Sequence, residues 1–426
     1  MKYMKRYIHM IGIGGIGVSA LARYYQAQGA RVTGSDMSMS ELVKELRREG
    51  IVIALGHKRE NIKKPDVVIY SAAIQRGNSE LQEARRKKIP VQTYAEALGA
   101  LTREYFTIAV SGSHGKSTTT ALIALMMIKA GLGPTVIVGT KLKEFGNRNF
   151  RKGKSYYLVI EADDYNRSFH HHTPNIVVLT NIDAEHLDTY GNLAGVVRGF
   201  RDFLKNLDES GRIVGNYADK NIRKIAKPFG KRTIWYNKGS FKRHALTIPG
   251  YHNQLNAEAA WQAVKLLGVQ RKTAEAALKT FTGAWRRTEL LRPKDKTIRA
   301  MLISDYAHHP TEVRATLGGI REQYPKKKII AVFQPHLDKR LEDCFTALPK
   351  SFNDADRVYI LPTYKVTGRA TKPKKTAKEL AEKIQGGIYI ASKKKAKDIL
   401  HDELKNTNNL IIAMSAGDLD SEIRRW

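Results

Sequence analysis

The sequence predicts an α/β protein of three successive domains, each a largely parallel sheet with helices packed against it. Three observations predict it. Apolar runs of strand length alternate with amphipathic segments through most of the 426 residues. Two glycine-rich loops, GIGGIG at 12–17 and GSHGKS at 112–117, each stand between an apolar run and a helical stretch. The length itself allows two to four domains of ordinary size.

The first domain, 1–103, reads YIHMIGI, VSALARYYQAQG, ARVTGSD, VKELRREGI and DVVIYSAAI, an alternation of strands and helices. In its first helical segment Val18, Leu21, Ala22 and Tyr25 fall at i, i+3, i+4 and i+7, the stripe of a helix facing a core. A second domain, 104–290, begins with the strand–loop–helix unit TIAVSGSHGKSTTTALIALMMIKAG and continues through YYLVIEADD, NIVVLTNID and RIVGNYAD. LLRPKDKT has the proline and charge of a linker. The third domain, 291–426, repeats the strand-then-loop signal in AMLISDYAHHP, KKIIAVFQPH, RVYILPTY and NLIIAMSAGD. The first and third domains read as Rossmann-like and the central one as a phosphate-loop ATPase type.

Composition narrows the class. A hydrophobic content of 42% supports globular cores and excludes a disordered chain. Lys plus Arg number 73 against 41 Asp plus Glu, a net charge of +32 that would draw polyanions. The basic runs, such as KKK at 326–328 and 393–395, are not interleaved with aromatic residues as a base-stacking surface would be. They read as solvated faces, and no nucleic-acid partner is expected. The single cysteine, Cys344, precludes an intrachain disulfide and points to a reducing compartment. In LEDCFTAL it reads as a small core-facing hydrophobe rather than a nucleophile. The N-terminal apolar run enters a glycine loop without the features of a signal peptide, and no segment reaches the ~20 apolar residues of a membrane span. A cytoplasmic protein without membrane association is expected.

Gly12, Gly14 and Gly17 fit G-x-G-x-x-G, in which glycine permits a tight turn and brings backbone and helix N-terminus close to an anion. Asp36 follows about 20 residues on, where an acidic side chain meets a sugar hydroxyl. Alone, this pattern would suit a nicotinamide-dependent dehydrogenase. The second loop argues otherwise. Val110 replaces the first glycine of G-x-x-x-x-G-K-[ST], yet the working part remains: a turn of backbone N–H groups, Lys116 for the β- and γ-phosphates and the Ser117 hydroxyl for Mg²⁺. Glu161 ends one strand with Asp163 and Asp164 following, and Asp183, His186 and Asp188 follow another, so these side chains should converge near the loop. Oxygen ligands with one imidazole suit Mg²⁺ or Mn²⁺ better than zinc. His170, His171 and His172 stand in a run whose side chains diverge, and they read as an exposed loop. YHNQLNAEAA offers Asn253 and Asn256 as amides able to match an adenine edge. SDYAHHP places Asp305, Tyr306, His308 and His309 at a strand end, and FQPHLDKR does so for His336 and Arg340.

With these residues in view, the sequence resembles the Mur ligases, and within them the alanine-adding branch. The matching stretches are IHMIGIGGIGVSALA, GSDMS, VIYSAAI, SGSHGKSTTT, VIEADDYNRSF, NIDAEHLDTYG, YHNQLNA, WRRTELL, SDYAHHPTEV, AVFQPH and AMSAGD, in family order from residue 8 to 417. The resemblance implies ATP-dependent joining of L-alanine to the lactyl carboxylate of UDP-N-acetylmuramate through an acyl phosphate. It assigns UDP to Gly14, Gly15, Ile16, Gly17, Ser35, Asp36 and Ser71. ATP goes to Gly112, Ser113, His114, Gly115, Lys116, Ser117 and Thr118, with Asn253 at the adenine and Arg287 and Asp305 closing over the nucleotide. Ser117, Glu161 and His186 are implied ligands of two Mg²⁺ sites. Tyr306, His308 and Arg340 would face the amino acid. Lys116, Glu161, His186, His308 and Arg340 are then the implied catalytic set, in a monomer or weak homodimer. The chain departs from the family's usual GTHGKT with GSHGKS, from RRFEL with RRTEL and from RYSR with LDKR. Leu337 thus lacks one possible arginine contact to the amino acid.

Overall fold

The computed structural model describes residues 5–237, 246–365 and 374–426. Two compact units result, one built on Met1–Ala245 and Leu255–Phe281, the other on Leu246–Gln254 and Thr282–Trp426. No helix among the described residues is long and apolar enough to cross a membrane.

The first unit holds two sheets. In the five-stranded sheet, β1 (Tyr7–Ile11), β2 (Arg31–Asp36), β3 (Val52–Leu55), β4 (Val67–Tyr70) and β5 (Val91–Thr93) lie in the order β3-β2-β1-β4-β5. All pairings are parallel. The chain leaves β1 toward β2 on one side and returns to β4 on the other, which opens a crevice at the carboxyl end of β1. The seven-stranded sheet contains β6 (Phe106–Ser111), β7 (Thr135–Leu142), β8 (Arg148–Arg151), β9 (Tyr157–Glu161), β10 (Ile176–Leu179), β11 (Arg212–Asn216) and β12 (Thr233–Tyr236). Its order is β12-β11-β10-β6-β9-β7-β8, with β8 antiparallel to β7 at the edge. β6 therefore ends between β9 and β10, whose following loops carry the acidic residues.

One continuous core serves both sheets, running from Ile8, Leu21 and Leu98 to Ala109, Phe169 and Phe200. A buried polar clamp adds to it. Arg23, on helix Ile16–Ala27, places Nε and Nη2 on the two Glu49 carboxylate oxygens at 2.8 and 3.0 Å. Its Nη1 donates to Asn149 on β8, whose own amide donates to the Ile16 carbonyl and the Ser19 hydroxyl. Such a guanidinium tolerates burial because its donors are met by carboxylate and amide oxygens.

The second unit is built on β13 (Glu289–Leu291), β14 (Met301–Asp305), β15 (Lys328–Phe333), β16 (Arg357–Ile360), β17 (Gly387–Tyr389) and β18 (Asn409–Met414), in the order β13-β14-β18-β15-β16-β17. Ile329, Ala331 and Phe333 face one core layer while Ile330 and Val332 face another, which explains why this strand reads as an unbroken apolar run. Residues 289–290, read from the sequence as the end of the second domain, belong to β13. This strand pairs antiparallel with β14 in the third sheet, so the edge of β14 is not left bare.

The histidine run also differs from its reading as an exposed loop. His171 is exposed, but His172 is 1% exposed, and burial pushes its imidazole down to about 3. It is a neutral core histidine. Gly99 admits the preceding residue, since a Cβ there would lie 2.3 Å from the His171 carbonyl oxygen.

Candidate active site

The first glycine loop leaves β1 and is held from β2. The N–H groups of Gly12 and Ile13 both donate to the Ser35 carbonyl, at 2.9 and 3.1 Å, and Gly14 N–H donates to Asp36 Oδ2 at 2.9 Å. Gly12 has φ +74°, which a side chain disfavours, and a Cβ there would come within 3.0 Å of Ser71 Cβ. Gly15 caps helix Ile16–Ala27 without a side-chain acceptor, so first-turn N–H groups stay available to an anion. Gly14, Gly15, Ile16, Gly17, Asp36 and Ser71 thus border one loop.

Ser35 differs. Its side chain is buried and donates to Glu80 Oε2 at 2.5 Å, beside His57 Nδ1 at 3.0 Å, so its carbonyl rather than its hydroxyl serves the loop. Glu80, fully buried, is also met by Asn61 and His57. Burial would raise its pKa, but hydrogen bonds from His57, Ser35 and Asn61, with the His9 imidazole 3.9 Å away, outweigh that and hold it down at about 2.

The second loop follows β6. Gly115, at φ +82°, caps helix Lys116–Lys129. Thr180–Asp183, after β10, ties the loop down: Ser113 N–H donates to the Asn181 carbonyl at 2.9 Å and His114 N–H to Asn181 Oδ1 at 2.9 Å. His114 Nε2 lies 3.2 Å from Asp183 Oδ2. The Asn256 amide oxygen would be 2.5 Å from a Cβ on Gly115, so this amide packs on the loop backbone. Asn253 instead donates to the Pro249 carbonyl at 2.6 Å. Ser117 and Thr118 are buried in the first helical turn.

Lys116 Nζ bonds the Gly112 carbonyl at 2.7 Å and Asp164 Oδ1 at 2.8 Å. Burial would favour the neutral amine, but Asp164, Asp163 and Glu161 more than reverse it, and the group is held above the ordinary lysine range. Asp164, read from the sequence as one of the acids converging near this loop, is the carboxylate that holds this lysine. Its Oδ2 is buried without a hydrogen-bond partner among the described residues. Asp163, Asp164 and His186 bring one ligand atom each within 4.8 Å of one another. Glu161 turns its Oε2 to the Gly139 N–H at 2.8 Å, and Gly139 is glycine where a Cβ would strike that carboxylate. Carboxylates, an imidazole and an orphaned buried oxygen fit a hard divalent cation.

In the second unit, His308, His336 and Tyr306 form edge-to-face ring contacts. His308 Nδ1 lies 3.0 Å from the Tyr306 carbonyl and 3.2 Å from Glu312 Oε2, while its Nε2 meets the Arg340 guanidinium. That arrangement places the ring proton on Nδ1. Arg286 and Arg287 each stack 4.9 Å from the Tyr306 centroid. Asp305 accepts from Thr288 N–H at 2.6 Å and Ala307 N–H at 2.7 Å, with the Thr288 hydroxyl at 3.2 Å. The threonine of RRTEL therefore has work within the unit. Asp305 is buried, which raises its pKa against the opposing charge of Arg287.

A lysine and hydroxyl at a helix N-terminus, beside convergent carboxylates at parallel strand ends, define a phosphate-loop enzyme that acts on a nucleoside triphosphate. Residues 7–106 match the Mur ligase family catalytic domain, 110–266 the Mur ligase middle domain and 286–417 the Mur ligase glutamate ligase domain. The chain belongs to the Mur ligase family. It is 36% identical over 437 residues to the UDP-N-acetylmuramate–L-alanine ligase of Aquifex aeolicus, covering 96% of this chain and 95% of that one. Among solved structures it resembles the UDP-N-acetylmuramate–alanine ligase of Thermotoga maritima with a TM-score of 0.82 and 27% identity, over 98% and 97% of the two chains. The murein peptide ligase of Psychrobacter arcticus shares the fold, with a TM-score of 0.76 at 23% identity over 99% and 98%.

Proposed function

We propose that this protein joins L-alanine to the lactyl carboxylate of UDP-N-acetylmuramate with conversion of ATP to ADP and phosphate, a step in peptidoglycan precursor synthesis. The observation that carries this reading is the pair of anion-binding loops in one compact unit, only the second of which has its own lysine. Full-length likeness to alanine ligases supports the substrate assignment.

In this reading residues 1–103 hold the UDP-sugar, 104–288 hold ATP, and 289–426 bind the amino acid. The lactyl carboxylate oxygen attacks the γ-phosphorus and ADP leaves. Both reactants are anions, so the barrier is largely electrostatic. Lys116 exchanges Asp164 for the transferring phosphoryl group. Ser117, Glu161 and His186, with Asp163 and Asp164 beside them, would hold Mg²⁺, which supplies further positive charge where negative charge gathers. The alanine amine then attacks the acyl carbonyl, phosphate leaves and the amine gives up a proton. Arg340 suits a carboxylate or the acyl phosphate, and His308 faces it with an unprotonated Nε2.

A coupled ADP-release assay tests the proposal. Turnover should require UDP-N-acetylmuramate and be fastest with L-alanine among the amino acids. A clear preference for another amino acid would move the protein to a sister activity, with Leu337 the first residue to question.

A further inference from the structure

Tyr94 has no part in the assignments above, yet it stands between the two loops. It opens helix Tyr94–Thr102, whose start is fixed by a reciprocal cap: Glu96 N–H donates to the Thr93 hydroxyl at 3.1 Å and Thr93 N–H to Glu96 Oε2 at 2.7 Å. Its ring lies on the first glycine loop. A Cβ on Gly17 would be 2.6 Å from Tyr94 Cζ and 2.7 Å from its hydroxyl, so glycine at 17 is what admits the ring. Tyr94 also lies within the field of Asp163 and Glu161, two of the carboxylates that act on Lys116. The ring is half-buried against the shared core, and its hydroxyl has no hydrogen-bond partner among the described residues. A tyrosine in such a place generally finds a partner for its O–H.

We propose that the Tyr94 hydroxyl is a further substrate contact, donating a hydrogen bond to an anionic oxygen of UDP-N-acetylmuramate. This rests on the function proposed above. The substrate's diphosphate belongs on the first loop and its lactyl carboxylate must reach the phosphoryl group at Lys116, so the molecule has to pass the residue that touches both neighbourhoods. Burial and the two nearby carboxylates keep the phenol protonated, so it meets the substrate as a neutral donor. A neutral donor also avoids adding a third negative charge on the path of an anion.

The test compares the full-length protein with Tyr94→Phe, which keeps the ring packing and deletes the donor. Calorimetric titration with UDP-N-acetylmuramate should show Kd raised about tenfold, the loss expected for one hydrogen bond to a charged group. KM for ATP and for L-alanine should stay within about twofold in steady-state assays, since neither ligand uses this donor. A parallel titration with UDP locates the accepting oxygen: a matching loss for UDP assigns the diphosphate, and an unchanged UDP affinity assigns the lactyl end. Unchanged affinity for UDP-N-acetylmuramate in the variant overturns the inference and leaves the function standing. A wild-type protein that neither binds UDP-N-acetylmuramate nor releases ADP with it overturns both.

Discussion

The two glycine loops share a construction and differ in charge. Each follows a central parallel strand and opens a helix on a glycine cap; the first is tied down by the end of the neighbouring β2 and the second by the loop after the neighbouring β10. Around the first, the backbone donors of Gly12, Ile13 and Gly14 end on a carbonyl and the Asp36 carboxylate. The second brings an ammonium into its own turn, where Lys116 bonds the Gly112 carbonyl and Asp164. Backbone donors are enough to hold a diphosphate that does not react. Moving a phosphoryl group needs charge that can be placed on it. Under the proposed function the same local fold serves binding in one place and chemistry in the other, and the difference lies in one lysine and its acidic neighbours.

If the loops work as one machine, breaking the scaffold between them should cost about as much as disarming the chemistry itself. Arg23→Ala leaves the Glu45 and Glu49 carboxylates and Asn149 without their shared guanidinium. Removal of one partner from a buried ion pair costs about 3–5 kcal/mol. We expect about 3, because Lys141 and Arg148 still meet Glu45 and Glu49. Urea unfolding followed by circular dichroism measures it, and a loss below about 1 kcal/mol would show the clamp to be dispensable.

Of the same size is the effect expected at the loop with charge. Lys116→Ala should lower kcat about 10²–10³-fold, or roughly 3–4 kcal/mol, while UDP-N-acetylmuramate affinity changes little. Equal losses in turnover and sugar-nucleotide affinity would erase the division of labour. The uncharged loop should answer with the opposite split. Asp36→Ala frees the Gly14 N–H and loosens the turn, and should raise KM for UDP-N-acetylmuramate about tenfold with KM for ATP nearly unchanged.

The sequence made the loops and strand ends legible because their signals are local. A glycine pattern between an apolar run and a helix is written in a few consecutive residues, and Tyr306, His308 and Arg340 each follow strands that their apolar runs reveal. The shared framework was not legible. Arg23 and Asn149 are 126 positions apart, and nothing in the spacing of either announces the other. Tyr94 left one trace, the T-x-x-E cap that fixes its place at a helix start, but its contact with Gly17 depends on how β5 lies in the sheet. Asp164 was visible as an acid yet not as the partner of Lys116, since adjacent carboxylates in EADD point apart only once the strand ends. Ser35 and His172 show the reverse failure: the resemblance assigned one to the substrate and the sequence read the other as an exposed loop, yet both side chains are buried.

The smallest expected effect separates the loops by pH. The first loop hangs from the Ser35 carbonyl, and Ser35 is fixed by Glu80, whose carboxylate is held at about 2 against an ordinary 4.5. A carboxyl group with a lowered pKa in the folded state stabilises the protein fully above its unfolded value. That contribution falls away as pH drops below about 4.5 and is gone below about 2. By pH 3.5 the loss should be about 1 kcal/mol, the cost of roughly one pH unit below the unfolded value. The second loop lacks this sensitivity at Lys116, which stays protonated throughout that range. Many carboxylates titrate in the same window, so the measurement is a difference. Wild type and Glu80→Gln are compared by thermal melting at pH 7 and pH 3.5. Glu80→Gln should be less stable at pH 7, because an amide cannot accept all the donors that converge on the carboxylate, and the gap should narrow by about 1 kcal/mol at pH 3.5. Alongside the melts, UDP affinity of the wild type should weaken on acidification more than that of the variant. A gap that stays constant with pH would mean that Glu80 keeps its proton affinity on folding and that acid does not reach the first loop through it.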